Sequence, residues 1–391
     1  MKRANLISIL VIILSLTVTA ESRGQRQSVN NDFIKVDVTK SYSQKKELIL
    51  QDFMDVEYIP LETNDEFVNQ GLVQDIGKKF IVVINKNRDG DIFIYDRTGK
   101  AIRKINRKGQ GPEEYPNILG ITLDEDNNEM FVSGSRKTVV YDLYGKFKRS
   151  FNHKKDTKTT GYFDIFNYDK DNLICYDKHN EEIAFVLISK QDGSIIKEIK
   201  IPFKKKKLLM QFSTKGSATT AVGPPDAHHS IIPFKGDWIL LELSSDTVYT
   251  FLPDYSLCPF LVRTPSIQSM NPEVHLILRL FSDRYYFMET IKNVYDFNKN
   301  RGFPKTFMMY DKQERAMFNY AVYNGDYTTK KEIYMSITRP VNHEIESWYP
   351  LEAHQLVESY KNGELKGKLK EIAAKLDEED NPVIMLIKHK K

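Results

Sequence analysis

The stretch Ile92-Phe-Ile-Tyr95-Asp96-Arg-Thr-Gly99-Lys100 returns in altered form as Val139-Val-Tyr141-Asp142-Leu-Tyr-Gly145-Lys146. In each copy an alternating strand ends in Tyr-Asp, and a tight turn places glycine where a positive φ costs little. A second alternating strand follows each turn, with Lys-Ala-Ile-Arg after the first and Lys-Phe-Lys-Arg after the second. Both copies are therefore predicted to be β-hairpins.

Weaker copies of the hairpin follow further along the chain, at 185–199, 248–260 and 307–318. The turn glycines Gly99, Gly145 and Gly193 are 46 and 48 residues apart. Such a period is typical of the four-stranded blade of a β-propeller. Two further strands precede each hairpin, so the repeat predicts five blades, at 72–106, 118–151, 163–201, 230–262 and 276–322.

Strand-like segments are left over at both ends of the repeat array, at 56–61, 332–337 and 383–387. Pairing strands from the two ends in one sheet would remove the free edges of an open array, so a sixth blade is predicted there. A small helical insertion is expected before the last strand, because Leu365, Leu369 and Ile372 share one helical face. The predicted fold is all-β: a six-bladed β-propeller of four-stranded blades, as a single domain over 21–391.

Composition agrees with this architecture. The chain has 391 residues, of which 41% are hydrophobic and 28% are charged, so it can form a packed core and has no disordered bias. The length alone would also fit two or three ordinary domains. The regular repeat favours one closed β structure instead.

The N-terminus reads as a secretory signal. Lys2 and Arg3 precede an apolar run over 6–18, and small residues end at Ala20, where cleavage is expected. The run is shorter than the roughly 20 residues that span a bilayer, so no membrane span is expected after cleavage. Cleavage removes two of the 57 basic residues and none of the 53 acidic residues, so the mature protein has a net charge of about +2. The sequence predicts an exported monomer, periplasmic, extracellular or surface-associated, and its balanced charge argues against nucleic-acid binding.

The two cysteines, Cys175 and Cys258, fall in predicted strands of neighbouring units. Export would permit a disulfide. Two free thiols acting as small hydrophobic side chains are the favoured interpretation.

Three segments around the repeat resemble the exported bacterial six-bladed β-propeller proteins. They are Arg107-Lys-Gly109-Gln-Gly111-Pro112-Glu113-Glu-Tyr115, Tyr58-Ile-Pro-Leu-Glu62 and Asp380-Asn-Pro-Val383, and the likeness spans about 30–388. The resemblance implies an exported propeller of the NHL-repeat type, often lipidated and often encoded beside glycan-uptake systems, with a role that is generally unassigned. This chain has no cysteine near the cleavage position, so it departs from the lipidated members.

Motifs for cofactors and metals are weak. Gly109-Gln-Gly-Pro112 lacks the Lys-Ser/Thr of a phosphate-binding loop and is interpreted as a crossing between blades. The run 124–128 has the alternating oxygens of a calcium loop, but Glu129 and Ser135 stand where that loop needs Gly and Glu, so it is interpreted as a turn. No cofactor and no metal site are predicted. Calcium is considered only as part of an enzymatic function.

Candidate ligand contacts lie in the loops that surround one end of a propeller channel. The nine predicted binding residues are Arg107, Glu113, Tyr115, Arg136, Tyr162, His179, His228, His229 and Arg263. Tyrosines there would stack on sugar faces, and histidines would hydrogen-bond or transfer protons. Together with Lys137, Lys154, Lys155, Lys178 and the run 204–207, the arginines would form a basic mouth for a carboxylated or sulfated ligand. A solvated face is the alternative for the lysine run.

Three hypotheses about the function remain open. The favoured one is a non-catalytic exported recognition protein for a glycan, a peptide or a partner protein. The alternative is a propeller-type hydrolase or lyase with histidine and carboxylate groups, around calcium in one version, at the channel mouth. A scaffold that engages a membrane complex through its outer rim is a third hypothesis.

Overall fold

The computed structural model describes residues 33–85, 89–153, 161–162, 164–215, 217–226 and 228–390. The predicted signal peptide, Lys154 and Lys155 lie outside the described residues. The described part begins with two short strands, a helical turn and a third strand: β1 (Ile34–Asp37), β2 (Lys45–Ile49), α1 (Leu50–Phe53) and β3 (Asp55–Pro60).

The first three blades are four-stranded antiparallel sheets in simple sequence order, as the repeat predicts. Blade 1 contains β4 (Leu72–Ile76), β5 (Phe80–Ile84), β6 (Asp91–Asp96) and β7 (Ala101–Asn106). Blade 2 contains β8 (Gly120–Asp124), β9 (Glu129–Ser133), β10 (Lys137–Tyr141) and β11 (Phe147–Asn152). Blade 3 contains β12 (Asp164–Asn167), β13 (Asn172–Tyr176), β14 (Phe185–Ser189) and β15 (Ile195–Ile199).

Blades 4 and 5 carry additions to this plan. An exposed hairpin of β16 (Gln211–Lys215) and β17 (Ala218–Val222) precedes blade 4, which contains β18 (Ile231–Phe234), β19 (Asp237–Leu240), β20 (Thr247–Phe251) and β21 (Leu257–Thr264). Blade 5 contains β22 (Val274–Phe281), β23 (Tyr285–Lys292), β26 (Lys305–Asp311) and β27 (Ala316–Tyr323), with the small hairpin β24 (Tyr295–Asp296) and β25 (Arg301–Gly302) inserted. The repeat does not predict β1 and β2, which pair in parallel with β21 and β27, respectively, and cover the outer edges of these two blades.

The sixth blade joins the two ends of the chain, as predicted. Its sheet has the order β28 (Ile345–Leu351), β29 (Val383–Lys388) and then β3, so the last strand pairs with an N-terminal one. The helical insertion is also confirmed, as α2 (Ala353–Lys361) and α3 (Gly367–Ala373), and Leu356 and Leu369 pack into the core beside this blade. None of the helices in the described ranges is long and apolar enough to cross a membrane.

The prediction of a strand at 332–337 is wrong. That segment contains a 3₁₀ turn over Met335–Ile337, and the strand of this region is β28. The sheet therefore has three strands, and the irregular segment 338–344, which contains Pro340, follows the channel in place of a fourth. β28 escaped prediction because it carries Glu346 and Pro350, which interrupt an apolar strand pattern.

The repeated hairpin turns explain the recurrence of the Tyr-Asp and Gly-Lys pairs. Asp96 Oδ1 accepts hydrogen bonds from the backbone N–H groups of Thr98 and Lys100, and Asp142 Oδ1 does the same for Tyr144 and Lys146. Gly99 follows with a φ of +87°. The apolar faces of neighbouring blades then pack against each other, so the core lies between sheets rather than in the channel.

Candidate functional site

The central channel contains a cavity with a volume of about 760 Å³. Its walls come from the inner strands β4, β8 and β12, from residues near β18 and β19, and from the segment 339–345 of blade 6. A cavity of this size accommodates a ligand of a few sugar rings or amino acids. It is the candidate functional site.

Polar side chains of the channel wall join blade 1 to blade 2, blade 2 to blade 3, and blade 6 to blade 1. Asp75 Oδ2 accepts the Leu123 N–H at 2.7 Å, and Thr122 Oγ1 donates to the Ile165 carbonyl at 3.1 Å. Asn342 Nδ2 donates to the Ile76 carbonyl at 3.0 Å. These bonds satisfy backbone groups at the unpaired inner edges of the sheets and hold the channel wall together.

Asp75 has an unusual protonation equilibrium for a carboxyl group. Burial raises its pKa to about 7, although the N–H groups of Leu123 and Ile76 act in the opposite direction, and the nearby Glu125 adds to the increase. The channel wall thus holds a carboxyl group that changes its charge near neutral pH.

A histidine–carboxylate pair lies at the junction of blades 3 and 4. His229 Nδ1 and Asp164 Oδ1 are 3.2 Å apart, and Asp164 Oδ2 accepts the Ser230 N–H at 2.6 Å. Burial alone would raise the pKa of Asp164, but His229 and the Ser230 N–H lower it below its ordinary value. Asp164 is therefore ionised at neutral pH.

His228 and His179, which lie near this pair, are uncharged at neutral pH. Burial lowers the pKa of His228 to about 3, and Lys178 contributes to the decrease. Burial and Lys178 also lower the pKa of His179. These side chains can exchange hydrogen bonds with a ligand but do not supply a positive charge.

Aromatic rings form much of the remaining wall. Trp238 packs edge-to-face against His343 with ring centroids 4.8 Å apart, and Phe166 lies 5.8 Å from Trp238. Trp348 lies under the Arg339 guanidinium, 5.4 Å from it. Trp238 and Trp348 are the two tryptophans of the chain, and both line the channel.

Of the nine predicted binding residues, Tyr162 and His229 line the cavity. His228 is the chain neighbour of His229 and interacts electrostatically with Lys178 and Asp164. His179 follows Lys178 in the loop after β13. The structure thus brings a tyrosine and three histidines to the region of blades 3 and 4.

Two other predicted residues are internal supports. The Tyr115 hydroxyl is fully buried, donates to the Gly90 carbonyl at 2.7 Å and accepts the Arg107 N–H at 2.8 Å. The Arg263 guanidinium is 4% exposed and donates to the carbonyls of Pro265 and Val274. Both buried side chains make hydrogen bonds that fix a crossing between blades.

The remaining three lie away from the cavity. Arg107 and Glu113 are exposed and line a separate groove of about 350 Å³ beside the outer hairpin turn at 144–147. Arg136 is exposed in the turn between β9 and β10. All three lie in loops, as predicted, but the distance of a loop from the channel axis depends on the tertiary structure.

The predicted basic mouth is not formed by the lysine run. Lys206 Nζ lies 2.9 Å from Glu242, and Lys207 Nζ lies 2.9 Å from Glu273, so two of its four charges are paired. Lys137 Nζ donates to the Gly111 carbonyl at 2.7 Å. With Arg263 internal as well, these cations serve the protein's own structure.

The calcium-like run 124–128 is a turn whose oxygens are already in use. Asp124 Oδ2 pairs with the buried Lys190 Nζ at 2.6 Å. The Glu125 carboxylate accepts the backbone N–H groups of Lys78, Lys79 and Phe80 from the neighbouring blade. Within the described ranges, no group of three or more histidine, cysteine or acidic side chains is arranged to hold a metal ion.

Sequence reasoning missed the channel residues Asp75, Asp164, Trp238, Arg339 and Trp348. A signal for the first two existed, since each is a carboxylate within or at the start of an innermost strand. The others carry no local signal. Trp238 lies in a second strand, and Arg339 and Trp348 belong to the part of blade 6 whose strands were misplaced.

Comparisons with known proteins support the fold. A family model described as a domain of unknown function, DUF4934, matches residues 33–388. BF0058, an inferred exported protein of Bacteroides fragilis, has a similar structure with a TM-score of 0.55 and 16% identity, covering 92% of this chain and 100% of its own. No curated protein matches the chain significantly in sequence.

Two further solved structures are similar at lower scores. A member of the duf4221 family from Bacteroides vulgatus has a TM-score of 0.45 and 10% identity, over 86% of this chain and 97% of its own. Virginiamycin B lyase from Staphylococcus aureus has a TM-score of 0.36 and 10% identity, over 86% and 99%. The similarity to BF0058 concerns the fold alone.

Proposed function

Because the chain belongs to the DUF4934 family, whose description assigns no activity, we propose a function from the geometry of the channel. The protein is an exported, non-catalytic recognition protein that binds a small glycan or peptide in its central channel. One observation carries the proposal: a cavity of about 760 Å³ whose wall combines aromatic rings with hydrogen-bonding side chains. Such a mixed wall is typical of binding sites for small polar ligands.

Export is supported by the N-terminal sequence and by one structural relative. Residues 2–20 have the basic start, apolar run and small-residue end of a secretory signal. BF0058, which has a similar fold, carries an inferred assignment as an exported protein.

A binding role without catalysis is supported by the way the channel carboxylates are used. Asp75 and Asp164 each accept a backbone N–H of the next blade. A carboxylate that already holds two blades together is poorly placed to move during a reaction, whereas it can accept a hydrogen bond from a ligand hydroxyl or amide.

An acid–base reaction at His229 is the second candidate. His229 Nε2 is buried and has no hydrogen-bond partner among the described residues, while Nδ1 lies beside Asp164. A carboxylate on one ring nitrogen and a free second nitrogen are the arrangement of a general base. Under this hypothesis, ligands incubated with the protein would be converted, and His229→Gln would abolish conversion while retaining ligand binding.

The channel can be tested through its two tryptophans. Purified protein is titrated with libraries of oligosaccharides and short peptides while intrinsic fluorescence is recorded, and Trp238→Phe and Trp348→Phe assign the signal. Ligands that change the fluorescence with micromolar to low-millimolar affinity are expected. The library members are also tested at about 10 mM, 10-fold above the low-millimolar range. The proposal is refuted if none of them changes the fluorescence or gives a heat of binding.

A channel-blocking variant makes the test specific. Gly120 lines the cavity, and a Cβ added there would meet no atom within 4 Å, so Gly120→Phe should fold and fill the channel. Gly223→Phe is the matched control, because Gly223 lies outside the cavity and an added Cβ would have only one distant neighbour, at 3.7 Å. Binding should be lost in the first variant and kept in the second. Each ligand is also analysed by mass spectrometry after incubation, which distinguishes binding from conversion.

A further inference from the structure

Arg339 is the most distinctive charged group in the channel. It lines the cavity from the irregular segment of blade 6 and is half-buried, with its guanidinium 5.4 Å from the centre of the Trp348 ring. Within the part of the chain that the structure describes, no carboxylate lies within 4.0 Å of this guanidinium, and burial lowers its pKa. A partly desolvated cation without an anion is costly, and an anionic ligand would offset that cost.

The other Lys and Arg side chains in the channel wall already have acidic partners. Lys78 Nζ lies 3.5 Å from Asp126, and Arg97 Nη2 lies 3.7 Å from Glu57. Arg97 also donates to the Gly77 carbonyl at 2.8 Å. Arg339 therefore differs from them in having its charge available.

The backbone around Arg339 is held on both sides, although it forms no strand. The Arg339 N–H donates to Ser347 Oγ at 2.7 Å, and Thr338 Oγ1 donates to the Met335 carbonyl at 2.7 Å. Three residues further on, Asn342 bonds to blade 1. The guanidinium is thus presented by a fixed backbone and a flat aromatic ring, which lowers the entropy cost of binding a ligand.

We propose that Arg339 binds a carboxylate of the channel ligand. This inference rests on the proposed function, because it assigns the chemistry of the ligand in the same cavity. The planar guanidinium fits a carboxylate through two parallel hydrogen bonds. A doubly charged phosphate would fit less well, because the wall also contains several acidic side chains: Glu57, Asp75, Glu125, Asp126, Asp164 and Glu344.

The carboxylate can belong to a uronic-acid sugar or to an acidic amino acid of a short peptide. Both present one planar monoanion on a polar body, so the geometry of Arg339 serves either. Two pairs of probes distinguish these sources, and each acid carries a single carboxylate. The methyl glycoside of glucuronic acid is compared with its methyl ester. The peptide Ala-Glu-Ala is compared with Ala-Gln-Ala, both with blocked termini.

Affinities are measured by calorimetry and by tryptophan fluorescence on the full chain and its variants. The wild-type protein should bind the acid of at least one pair about 10- to 100-fold more tightly than its neutral counterpart, the range expected for a charge-assisted bond. Arg339→Gln should remove this preference without weakening the neutral probe. Arg339→Lys should retain part of it, because the charge remains while the double hydrogen bond is lost.

Arg103→Gln is the matched control. Arg103 also lies over an aromatic ring, 4.7 Å from Tyr144, and donates to the Leu143 carbonyl, but it belongs to the outer surface between blades 1 and 2. The Arg103→Gln variant should bind all four probes with the affinities of the wild type. Thermal unfolding of each variant checks the fold, and Arg339→Lys tests the same side chain where Arg339→Gln fails to fold.

The outcomes separate this inference from the proposed function. Two results would overturn the role of Arg339 and leave channel binding intact. One is equal binding of acid and neutral probes by the wild type, and the other is an acid preference that folded Arg339→Gln retains. If all four probes and the wider libraries leave both fluorescence and calorimetry unchanged, the proposed function fails and this inference fails with it.

Discussion

His229 Nδ1 lies 3.2 Å from Asp164 Oδ1, while the second oxygen of the same carboxylate accepts the Ser230 N–H at 2.6 Å. Asp164 begins the inner strand of blade 3, and Ser230 leads into the inner strand of blade 4. One carboxylate therefore joins two blades at the channel wall.

Removing the charge of Asp164 should destabilise the ring. Asp164→Asn is expected to lower the free energy of unfolding at pH 7 by about 1–3 kcal/mol, because a buried charge-assisted bond is weakened. Since the folded pKa of Asp164 is lowered, its contribution is full above the unfolded value of about 3.9 and is lost as the pH falls through the folded pKa. Urea unfolding should show the difference between variant and wild type shrinking below about pH 4.

The control for this prediction is Asp171→Asn, a change of an exposed carboxylate in a turn of the same blade. Its effect should stay within about 0.5 kcal/mol. Equal stability of Asp164→Asn and wild type at pH 7 would show that the carboxylate does not hold the two blades together.

Asp75 should produce the opposite pH dependence. Its pKa is raised to about 7, so its contribution to stability is full below about pH 4 and is lost as the pH rises through about 7. Asp75→Asn cannot ionise, and its free energy of unfolding relative to wild type should increase by about 1–3 kcal/mol between pH 5 and pH 8. A carboxyl NMR titration gives a second measurement. A midpoint near 4 for Asp75 would contradict the prediction.

Gly99 should tolerate alanine poorly for two reasons. Its φ is +87°, and an added Cβ would lie 2.0 Å from the Pro60 carbonyl oxygen of blade 6. Gly236 has a similar φ of +88° but no atom within 4 Å of an added Cβ. Gly236→Ala should therefore cost about 1 kcal/mol, and Gly99→Ala at least about 1 kcal/mol more, because blade 6 must move. If Gly99→Ala and Gly236→Ala lower the melting temperature equally, the contact between Gly99 and Pro60 does not contribute to stability.

The two thiols should differ in reactivity. Both are free, as predicted from the sequence, with Cys175 buried in blade 3 and Cys258 half-buried in blade 4. Burial raises the pKa of the Cys175 thiol well above its usual value, which suppresses the reactive thiolate. A thiol reagent such as DTNB should modify Cys258 in the folded protein and both cysteines after denaturation. Labelling of Cys175 at the same rate as Cys258 would contradict its burial.

Local sequence was a good guide wherever one blade could be recognised by its own pattern. The predicted blade at 72–106 coincides with β4–β7, and the other four agree within two residues at each end, since alternation and turn chemistry act over a few neighbouring residues. The pairing of β29 with β3 was also predictable, because an unpaired edge at each end of the chain is unfavourable. The strand around Glu346 and Pro350 was not, because its partners rather than its own composition hold it.

The amino-acid sequence by itself determined the repeat, the closed all-β architecture and the hairpin turns built on Asp96 and Asp142, because these depend on contacts between near neighbours. Only the tertiary structure decided which side chains meet in the channel. Asp75, Asp164 and Arg339 come from three blades and from positions up to 264 residues apart. These three side chains converge because the ring closes. The same closure buries Tyr115 and Arg263, although the sequence alone is equally compatible with both residues contacting a ligand.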